Sequence, residues 1–338
     1  MNIQENFALK SYNTLGVQSF ARYFTEITNQ SEINELIANP IIHSLPVLIM
    51  GSGSNILFTT DFEGFVIKNS IKGIEVLEED NEKVIIKAGS GENWSDFVDY
   101  CTDKGYYGLE NLALIPGTVG AAPVQNIGAY GVELQDYFHK LDALELHSHK
   151  IKTFDRKDCD FGYRDSIFKS KYRGKYFILS VTFKLSKKPV LKTEYESIKN
   201  EITEKGITDL TPQKLKDLII CIRQNKLPDP AHVKNAGSFF KNPVVKEKFF
   251  NELKSDYPDI RGIHVDSSHI KIAAAWLIEE TGWKGVREGN VGVYSKHSLV
   301  LVNHGNASGK EIYDFADRIF DSVHIQFGID LEFEVNVI

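Results

Sequence analysis

The 338-residue chain has few cysteines, no excess of positive charge and no metal-binding motif. Its three cysteines, Cys101, Cys159 and Cys221, are far apart and odd in number, which argues against a disulfide framework or a zinc site. The ten histidines form no H-E-x-x-H motif, so no metal site is predicted. The 39 Lys and Arg against 46 Asp and Glu give a net charge of −7, and no basic run interleaved with aromatics indicates a nucleic-acid surface.

Long apolar segments are also absent. No run reaches the roughly 20 residues of a membrane span, and the N-terminal MNIQENFALK lacks the apolar stretch of a secretion signal. We therefore expect a cytoplasmic protein with no membrane partner. The 42% apolar and 25% charged residues are typical of globular proteins. A length of 338 residues predicts two or three domains.

The most informative stretch is residues 108–134, the cradle segment, which holds five glycines, two prolines and only two charged residues, Glu110 and Glu133. Helices and strands do not tolerate glycine and proline at this density, and disordered linkers are seldom this apolar. The composition predicts an ordered, largely buried, irregular segment. Such backbone needs partners for its polar groups, so we interpret it as a cofactor cradle, with a tightly packed structural loop as the alternative.

A second glycine-rich loop, residues 51–55 (GSGSN), follows the apolar run 46–50. It is neither the Rossmann fingerprint, because Ile56 stands where the third glycine belongs, nor a Walker loop. A short Gly/Ser turn can hold a pyrophosphate through consecutive N–H groups, although this loop taken alone favours a plain hairpin turn. The two loops together favour a dinucleotide.

Elsewhere the pattern is mixed α/β. Residues 31–37 (SEINELI) predict a short helix behind a Ser cap, and Thr211-Pro212 predicts the start of a helix running to about Asn225. A capping box at residues 308–311 opens a further helix. Residues 331–337 alternate strictly and predict a strand with Glu332 and Glu334 on one polar face.

Several blocks, in order along nearly the whole chain, resemble the UDP-N-acetylenolpyruvoylglucosamine reductase family of peptidoglycan precursor synthesis. They are residues 13–16 (NTLG), 51–55 (GSGSN), 115–120 (IPGTVG), 125–131 (QNIGAYG), 162–166 (GYRDS) and 235–243 (NAGSFFKNP). The resemblance implies an α/β (α+β) fold: a two-lobed FAD-binding module of the vanillyl-alcohol-oxidase/p-cresol methylhydroxylase type, with lobes at 1–75 and 76–205, and a C-terminal α+β substrate-binding domain at 206–338.

The resemblance also implies non-covalent FAD, NADPH as co-substrate, UDP-N-acetylglucosamine enolpyruvate as substrate and a monomeric enzyme. The cofactor-binding residues it implies come from both glycine-rich segments. They are Gly51, Ser52, Gly53, Ser54, Asn55, Leu57, Ile115, Pro116, Gly117, Thr118, Gly120, Ala121, Asn126 and Gly128.

Three residues match the family's catalytic positions. Reduction of an enol ether needs a cation at the substrate carboxylate, a proton donor at C2 and help in polarising the alkene. Arg164 matches the arginine at the carboxylate, where a guanidinium can bind bidentately, and Ser238 matches the proton donor. Strand alternation alone does not choose between Glu332 and Glu334, and the family pattern selects Glu334, leaving Glu332 solvated or paired with a surface cation.

The substrate-binding positions match Lys226, Asn242, Tyr195 and Tyr163, with lysine a suitable point charge for phosphate. Two departures stand out. Many members carry arginine where this chain has Asn336. The class with a long insert closes a tyrosine over the substrate, whereas residues 261–266 (RGIHVD) contain none, leaving His264 or Tyr257 as substitutes.

Two other functions remain open. An oxidase on the same FAD scaffold often tethers flavin through a histidine, and none occurs between His43 and His139. A non-catalytic flavin or nucleotide-sugar binding protein has no need of Arg164, Ser238 and Glu334 together.

Overall fold

The computed structural model describes residues 1–338, which divide into two compact units. Unit 1 comprises Met1–Phe7, Ala21–Gly53 and Phe62–Asn225, and unit 2 comprises Ala8–Phe20, Ser54–Asp61 and Lys226–Ile338. Two N-terminal segments therefore belong to the C-terminal unit. The three-part division at residues 75 and 205 stays a prediction.

The elements confirm a mixed α/β chain. The helices are α1 Gln30–Ile37, α2 Trp94–Asp103, α3 Glu196–Glu204, α4 Pro212–Lys226, α5 Glu247–Asp256, α6 Ala274–Glu280 and α7 Gly309–Phe327. The strands are β1 Gln4–Ala8, β2 Phe20–Ile27, β3 Val47–Met50, β4 Ile56–Leu57, β5 Phe62–Asn69, β6 Ile74–Glu79, β7 Lys83–Gly89, β8 Gly128–Ala129, β9 Val132–Glu133, β10 Phe138–Glu145, β11 Ile151–Asp155, β12 Tyr176–Ser186, β13 Lys234–Ser238, β14 Val244–Lys246, β15 Gly262–His264, β16 His269–Ile272, β17 Arg287–Glu288, β18 Val291–Val293, β19 Val300–Asn303 and β20 Asn336–Val337.

Unit 1 contains two sheets and two hydrophobic clusters. A four-stranded sheet has the order β1-β2-β5-β3, with β5 parallel to both β2 and β3. Its core includes Ile33, Leu36 and Phe65. The second sheet, β11-β10-β12-β7-β6, is antiparallel. Helix α2 buries Trp94 and Phe97 against it, as the i, i+3 spacing requires.

Unit 2 is built from short strands and the long helix α7. One sheet has the order β13-β19-β18-β17, a second has the order β14-β16-β15, and β4 pairs in parallel with β20. Helix α7 buries Ile312, Phe315, Ala316, Ile319 and Val323 on one face. Its predicted capping box is confirmed: Ser308 accepts from the Glu311 N–H, and the Glu311 carboxylate accepts from the Ser308 N–H at 2.7 Å.

The start of α1 differs from the prediction. Helix α1 begins at Gln30, and Asn29, two residues before Ser31, is its cap: its side chain accepts from the Glu32 N–H at 3.1 Å. Both residue types are good caps, so composition alone could not choose. The Thr211 cap of α4 is confirmed, since its hydroxyl accepts from the Lys214 N–H at 3.2 Å.

The strand predicted over residues 331–337 is wrong as a continuous element. The chain bends at Val335, only Asn336 and Val337 form a strand, and Phe333 makes an isolated bridge to Phe240. Phe333 also stacks on the Phe240 ring at 5.4 Å. This aromatic packing and the pairing with β4 replace the regular alternation.

No helix in residues 1–338 is both long enough and apolar enough to span a membrane. The cysteines differ sharply in exposure. Cys101 and Cys159 are buried, and burial raises the pKa of Cys101 and raises that of Cys159 to about 12. Cys221 is half-buried on α4.

We predict that one of the three thiols reacts with a disulfide reagent in the native protein at pH 8. Burial and suppressed ionisation protect Cys101 and Cys159, and all three should react in guanidinium chloride. Thiol titration with Cys221→Ser as the control checks this: that variant should show no rapid phase. A second thiol reacting at the free-thiol rate in the native protein would contradict it.

Candidate functional site

The two glycine-rich segments meet in unit 1. A Cβ added at Gly51 would lie 2.4 Å from the Thr118 Oγ1, so the Thr118 side chain occupies the space that a side chain at position 51 would need. Gly53 has φ +66° and Gly117 has φ +147°, conformations that favour glycine. Gly51 and Thr118, one from each glycine-rich segment, therefore lie side by side in unit 1.

A turn at residues 89–94 anchors the middle of the cradle segment. The Val119 N–H donates to the Glu92 carbonyl at 2.9 Å, and the Gly120 N–H donates to the Ser90 carbonyl at 2.8 Å. A Cβ on Gly120 would lie 2.4 Å from the Ser90 Cβ. The Ser90 hydroxyl in turn donates to Asn69 Oδ1 at 2.9 Å. The loop is thus fixed by backbone bonds rather than by regular structure.

The cradle segment is irregular and largely buried, as predicted. It contains three-residue and four-residue 3₁₀ turns at Glu110–Leu112 and Ala122–Gln125, and the small β8–β9 hairpin. The Asn111 amide donates to the carbonyls of Tyr130 and Lys192. Protein groups therefore satisfy much of its backbone.

Ser52, in the 51–55 loop, has a buried polar atom without a partner. The Ser52 hydroxyl oxygen is buried and makes no hydrogen bond within the protein. Buried hydroxyls normally have partners, and this one stands between Gly51 and Gly53. An orphaned donor on a glycine loop fits a bound phosphate oxygen.

Glu110 is the buried acid of the cradle segment. It is 5% exposed, its carboxylate accepts from the Gly108 N–H at 2.8 Å, and its Oε1 has no hydrogen-bond partner. Burial raises the pKa of Glu110, partly opposed by Lys216 nearby. Lys216 pairs with Asp99 at 2.5 Å.

Arg164 sits in a tight turn with a strained backbone. Gly162 and Asp165 exchange two backbone hydrogen bonds, of 3.0 and 3.2 Å, around Tyr163 and Arg164. Arg164 has φ +54°, a left-handed conformation that costs a non-glycine residue about 1–3 kcal/mol. Such strain persists where the surroundings fix it, which is typical of functional positions.

Arg223 is a second guanidinium that the sequence reasoning missed. It lies on α4, donates from Nε to the Leu114 carbonyl at 3.3 Å, and hydrogen-bonds the Tyr130 phenol. Burial lowers the pKa of Arg223, and the nearby Arg164 lowers it further. Helical spacing could have found it, because position 223 follows the buried Ile219 by four residues.

Ser238 and Glu334 lie on neighbouring segments of unit 2. Ser238 ends β13 opposite Val300, and the Glu334 N–H donates to the carbonyl of Phe239 at 2.9 Å. Gly237, with φ +71°, is held by its N–H bond to Asn235 Oδ1 at 2.9 Å. The structure thus brings these two predicted residues together through their backbones.

Glu332 and Glu334 have opposite environments. The Glu332 side chain is 73% exposed and pairs with Lys241 at 2.9 Å, which confirms that it is paired with a surface cation. Glu334 is only 8% exposed. Alternation alone does not distinguish these two residues, but their exposure does.

Asn336, where the family resemblance leads us to expect arginine, is part of a clamp around Glu334. Its backbone N–H and its Nδ2 donate to the Asn55 carbonyl at 3.1 and 3.0 Å. Asn55 Nδ2 donates to the Glu334 carbonyl at 3.2 Å. The asparagine therefore has a structural use at this position.

The predicted substrate residues occupy varied positions. Asn242 accepts from the Ala274 N–H at the start of α6, Lys226 is exposed at the end of α4, and Tyr163 is half-buried. Tyr195 is 45% exposed and meets the Tyr130 ring edge-on at 5.4 Å.

In residues 261–266, where the resemblance leads us to expect a tyrosine that closes over the substrate, Ile263 and His264 lie on the exposed strand β15. Tyr257 is not equivalent to them, because its ring packs against Phe327 at 4.9 Å and Trp276 at 6.2 Å. Of the two substitutes considered for the lid tyrosine, His264 alone is exposed.

The other predicted cofactor residues lie at different depths. Leu57 is fully buried in the core of unit 2. The Asn126 amide is bonded inside the protein, to Glu133, Gly162 and Gln135. Thr118 and Gly120 are buried, Gly51, Ser54, Ile115, Gly117 and Gly128 are half-buried, and Pro116 and Ala121 are exposed.

Two family models match the chain. Residues 21–149 match a model described as an FAD binding domain. Residues 229–338 match the C-terminal domain of UDP-N-acetylenolpyruvoylglucosamine reductase. Together with the α/β architecture above, they confirm the predicted order of an FAD-binding module followed by a C-terminal domain.

Whole-chain comparisons agree. The UDP-N-acetylenolpyruvoylglucosamine reductase of Amoebophilus asiaticus (strain 5a2) is 48% identical over 338 residues, covering 100% of both chains. That of Pseudomonas syringae pv. syringae (strain B728a) is 44% identical, covering 100% of this chain and 99% of its own. The crystal structure of the Thermus caldophilus enzyme shares the fold, with a TM-score of 0.68 at 23% identity, over 100% of this chain and 99% of that one. Because curated relatives match it from end to end, the chain belongs to the UDP-N-acetylenolpyruvoylglucosamine reductase family.

Proposed function

We propose that this protein reduces UDP-N-acetylglucosamine enolpyruvate to UDP-N-acetylmuramate, using bound FAD and NADPH, in peptidoglycan precursor synthesis. The observation that carries the proposal is the match of all 338 residues, at 48% identity, to a reductase of that name. The same chemistry supports a cytoplasmic location, where NADPH and sugar nucleotides are found, and we propose a monomer as its working form.

FAD is proposed to lie on the two glycine-rich segments. The orphaned Ser52 hydroxyl and the close approach of Gly51 to Thr118 fit a phosphate-bearing cofactor. The proposed contacts are Gly51, Ser52, Gly53, Ser54, Asn55, Leu57, Ile115, Pro116, Gly117, Thr118, Gly120, Ala121, Gly128 and, through its backbone, Asn126. When bound, the flavin supplies the hydride, taken from NADPH, that C3 of the enolpyruvyl group receives.

Residues of the protein stabilise the negative charge that develops on the substrate and supply the proton to C2. Hydride addition at C3 builds negative charge at C2 and on the carboxylate. We assign Arg164 to bind that carboxylate, since a guanidinium stabilises it bidentately. The Ser238 hydroxyl gives its proton to C2, which completes the saturated lactyl ether, and Glu334 helps to polarise the alkene.

Substrate binding is assigned to polar residues outside that group. Lys226 and Asn242 are proposed to hold the diphosphate, with Tyr195 and Tyr163 nearby. Lys226 is exposed, as a phosphate-binding cation must be. The capping bond of Asn242 uses its Oδ1 and leaves its Nδ2 as a donor.

Gly51→Ala should weaken FAD binding by at least roughly tenfold, because the new Cβ overpacks against Thr118 Oγ1 and overpacking costs about 1–3 kcal/mol. Thr118→Ala removes that oxygen, so the double variant should bind FAD as Thr118→Ala alone does. Titrating FAD fluorescence with flavin-free protein measures this. Unchanged affinity in Gly51→Ala would show that residues 51–53 do not hold the cofactor.

Ser238→Ala should leave FAD binding and flavin reduction by NADPH near normal while blocking reoxidation by the enolpyruvyl substrate. General-acid catalysis is typically worth roughly 10²–10⁴-fold, so the loss should be of that size. Anaerobic stopped-flow absorbance separates the two half-reactions. Fast reoxidation in this variant would exclude Ser238 as the proton donor.

Glu334→Gln should slow reduction of the enolpyruvyl group by roughly 10²-fold or more. Glu332→Gln is the matched control two residues away, and its exposed pair with Lys241 contributes little. Turnover of Glu332→Gln should therefore stay near wild type. The reverse order of effects would overturn the assignment of Glu334.

A further inference from the structure

Asn126 lies in the cradle segment with its side chain fully occupied by protein groups. It is 1% exposed, and its Nδ2 donates to Glu133 Oε2 at 2.8 Å and to the Gly162 carbonyl at 3.0 Å. Its Oδ1 accepts from the Gln135 N–H at 3.1 Å. Both amide protons are used, so this side chain has no donor left for a ligand.

One of those bonds ends on the turn that carries Arg164. Gly162 and Asp165 close this turn with two backbone bonds, and Arg164 occupies the left-handed position within it, at φ +54°. Glycine or asparagine is the usual residue at such a position. Arginine there needs external support to stay in place.

Further hydrogen bonds hold Asn126 and the Arg164 turn in place. The Glu133 carboxylate accepts from Asn126 and also from Gln135 Nε2 at 2.6 Å. The Asn126 backbone is itself left-handed, with φ +44°, so the chain does not continue as a helix at this residue. Farther along the chain, the Ser166 hydroxyl donates to the Val124 carbonyl at 2.7 Å. The turn is therefore tied to the cradle segment on both sides of Arg164.

We propose that Asn126 is a positioning residue, which fixes the Arg164 guanidinium by holding the Gly162 carbonyl, rather than a cofactor ligand through its side chain. This inference rests on the proposed function, in which Arg164 binds the substrate carboxylate. It assigns to the Asn126 amide a task in the second half-reaction. Misplacing a binding group by about 1 Å can cost up to roughly 10²-fold in rate.

The test is a double-mutant cycle on anaerobic flavin reoxidation by UDP-N-acetylglucosamine enolpyruvate. Asn126→Gly keeps the left-handed backbone accessible and removes the amide, and we expect it to slow reoxidation roughly 10- to 100-fold. In an Arg164→Ala background the same change should have less than about a twofold further effect. The flavin content of the purified holoenzyme should stay at the wild-type level when Asn126→Gly is made in either background.

Two further variants serve as controls. Asn126→Asp keeps the shape but cannot donate to Gly162, and it should reproduce the slow reoxidation. Thr25→Val removes another buried bond of unit 1, from the Thr25 hydroxyl to the Asn2 carbonyl at 2.9 Å. It should lower the thermal midpoint and leave reoxidation unchanged.

The outcomes separate this inference from the proposed function. If Arg164→Ala reoxidises at the wild-type rate, the role of Arg164 fails and the inference fails with it. If Arg164→Ala is slow but Asn126→Gly slows both backgrounds equally, the proposed function stands and the positioning role is overturned. Loss of flavin from Asn126→Gly would instead identify Asn126 as a cofactor ligand.

Discussion

Two backbone hydrogen bonds, from Val119 to Glu92 and from Gly120 to Ser90, hold the most irregular part of this protein in place. A buried segment rich in glycine and proline cannot satisfy its polar groups through a helix or a sheet. It depends on neighbouring turns and on side-chain amides instead. The close approach of Gly51 to Thr118 lies next to these bonds in the cradle segment.

In each unit, side-chain amides also hydrogen-bond backbone carbonyls of irregular segments. In unit 1, Asn111 and Asn126 hold carbonyls of Tyr130 and Gly162. In unit 2, Asn336 holds Asn55, which in turn holds the Glu334 carbonyl. Left-handed backbone at residues such as Arg164 is stable only when several such bonds act together. Rigid support of this kind is what positioned charge in catalysis requires.

Local rules predicted much of the fold. The α7 capping box and the Thr211 cap depend on three or four adjacent residues, so the sequence alone identifies them. The choice between Asn29 and Ser31 failed because both are good caps.

Long-range contacts account for the other failures. Phe333, just before the bend at Val335, packs on Phe240, nearly a hundred positions earlier, and the periodicity of a local segment does not show such a contact. Arg223 was overlooked although its helical spacing from Ile219 places it toward the buried side of α4. The Asn126 side chain donates to the carbonyl of Gly162, which follows it by 36 residues, so the local sequence does not reveal this hydrogen bond.

The most direct test of the account is an anaerobic single-turnover experiment on the wild-type holoenzyme. NADPH should bleach the flavin absorbance, and UDP-N-acetylglucosamine enolpyruvate should restore it while UDP-N-acetylmuramate, two mass units heavier than the substrate, appears in equal amount to the flavin. Reduced flavin that stays bleached with this substrate, and recovers only when dioxygen is admitted, would contradict the account.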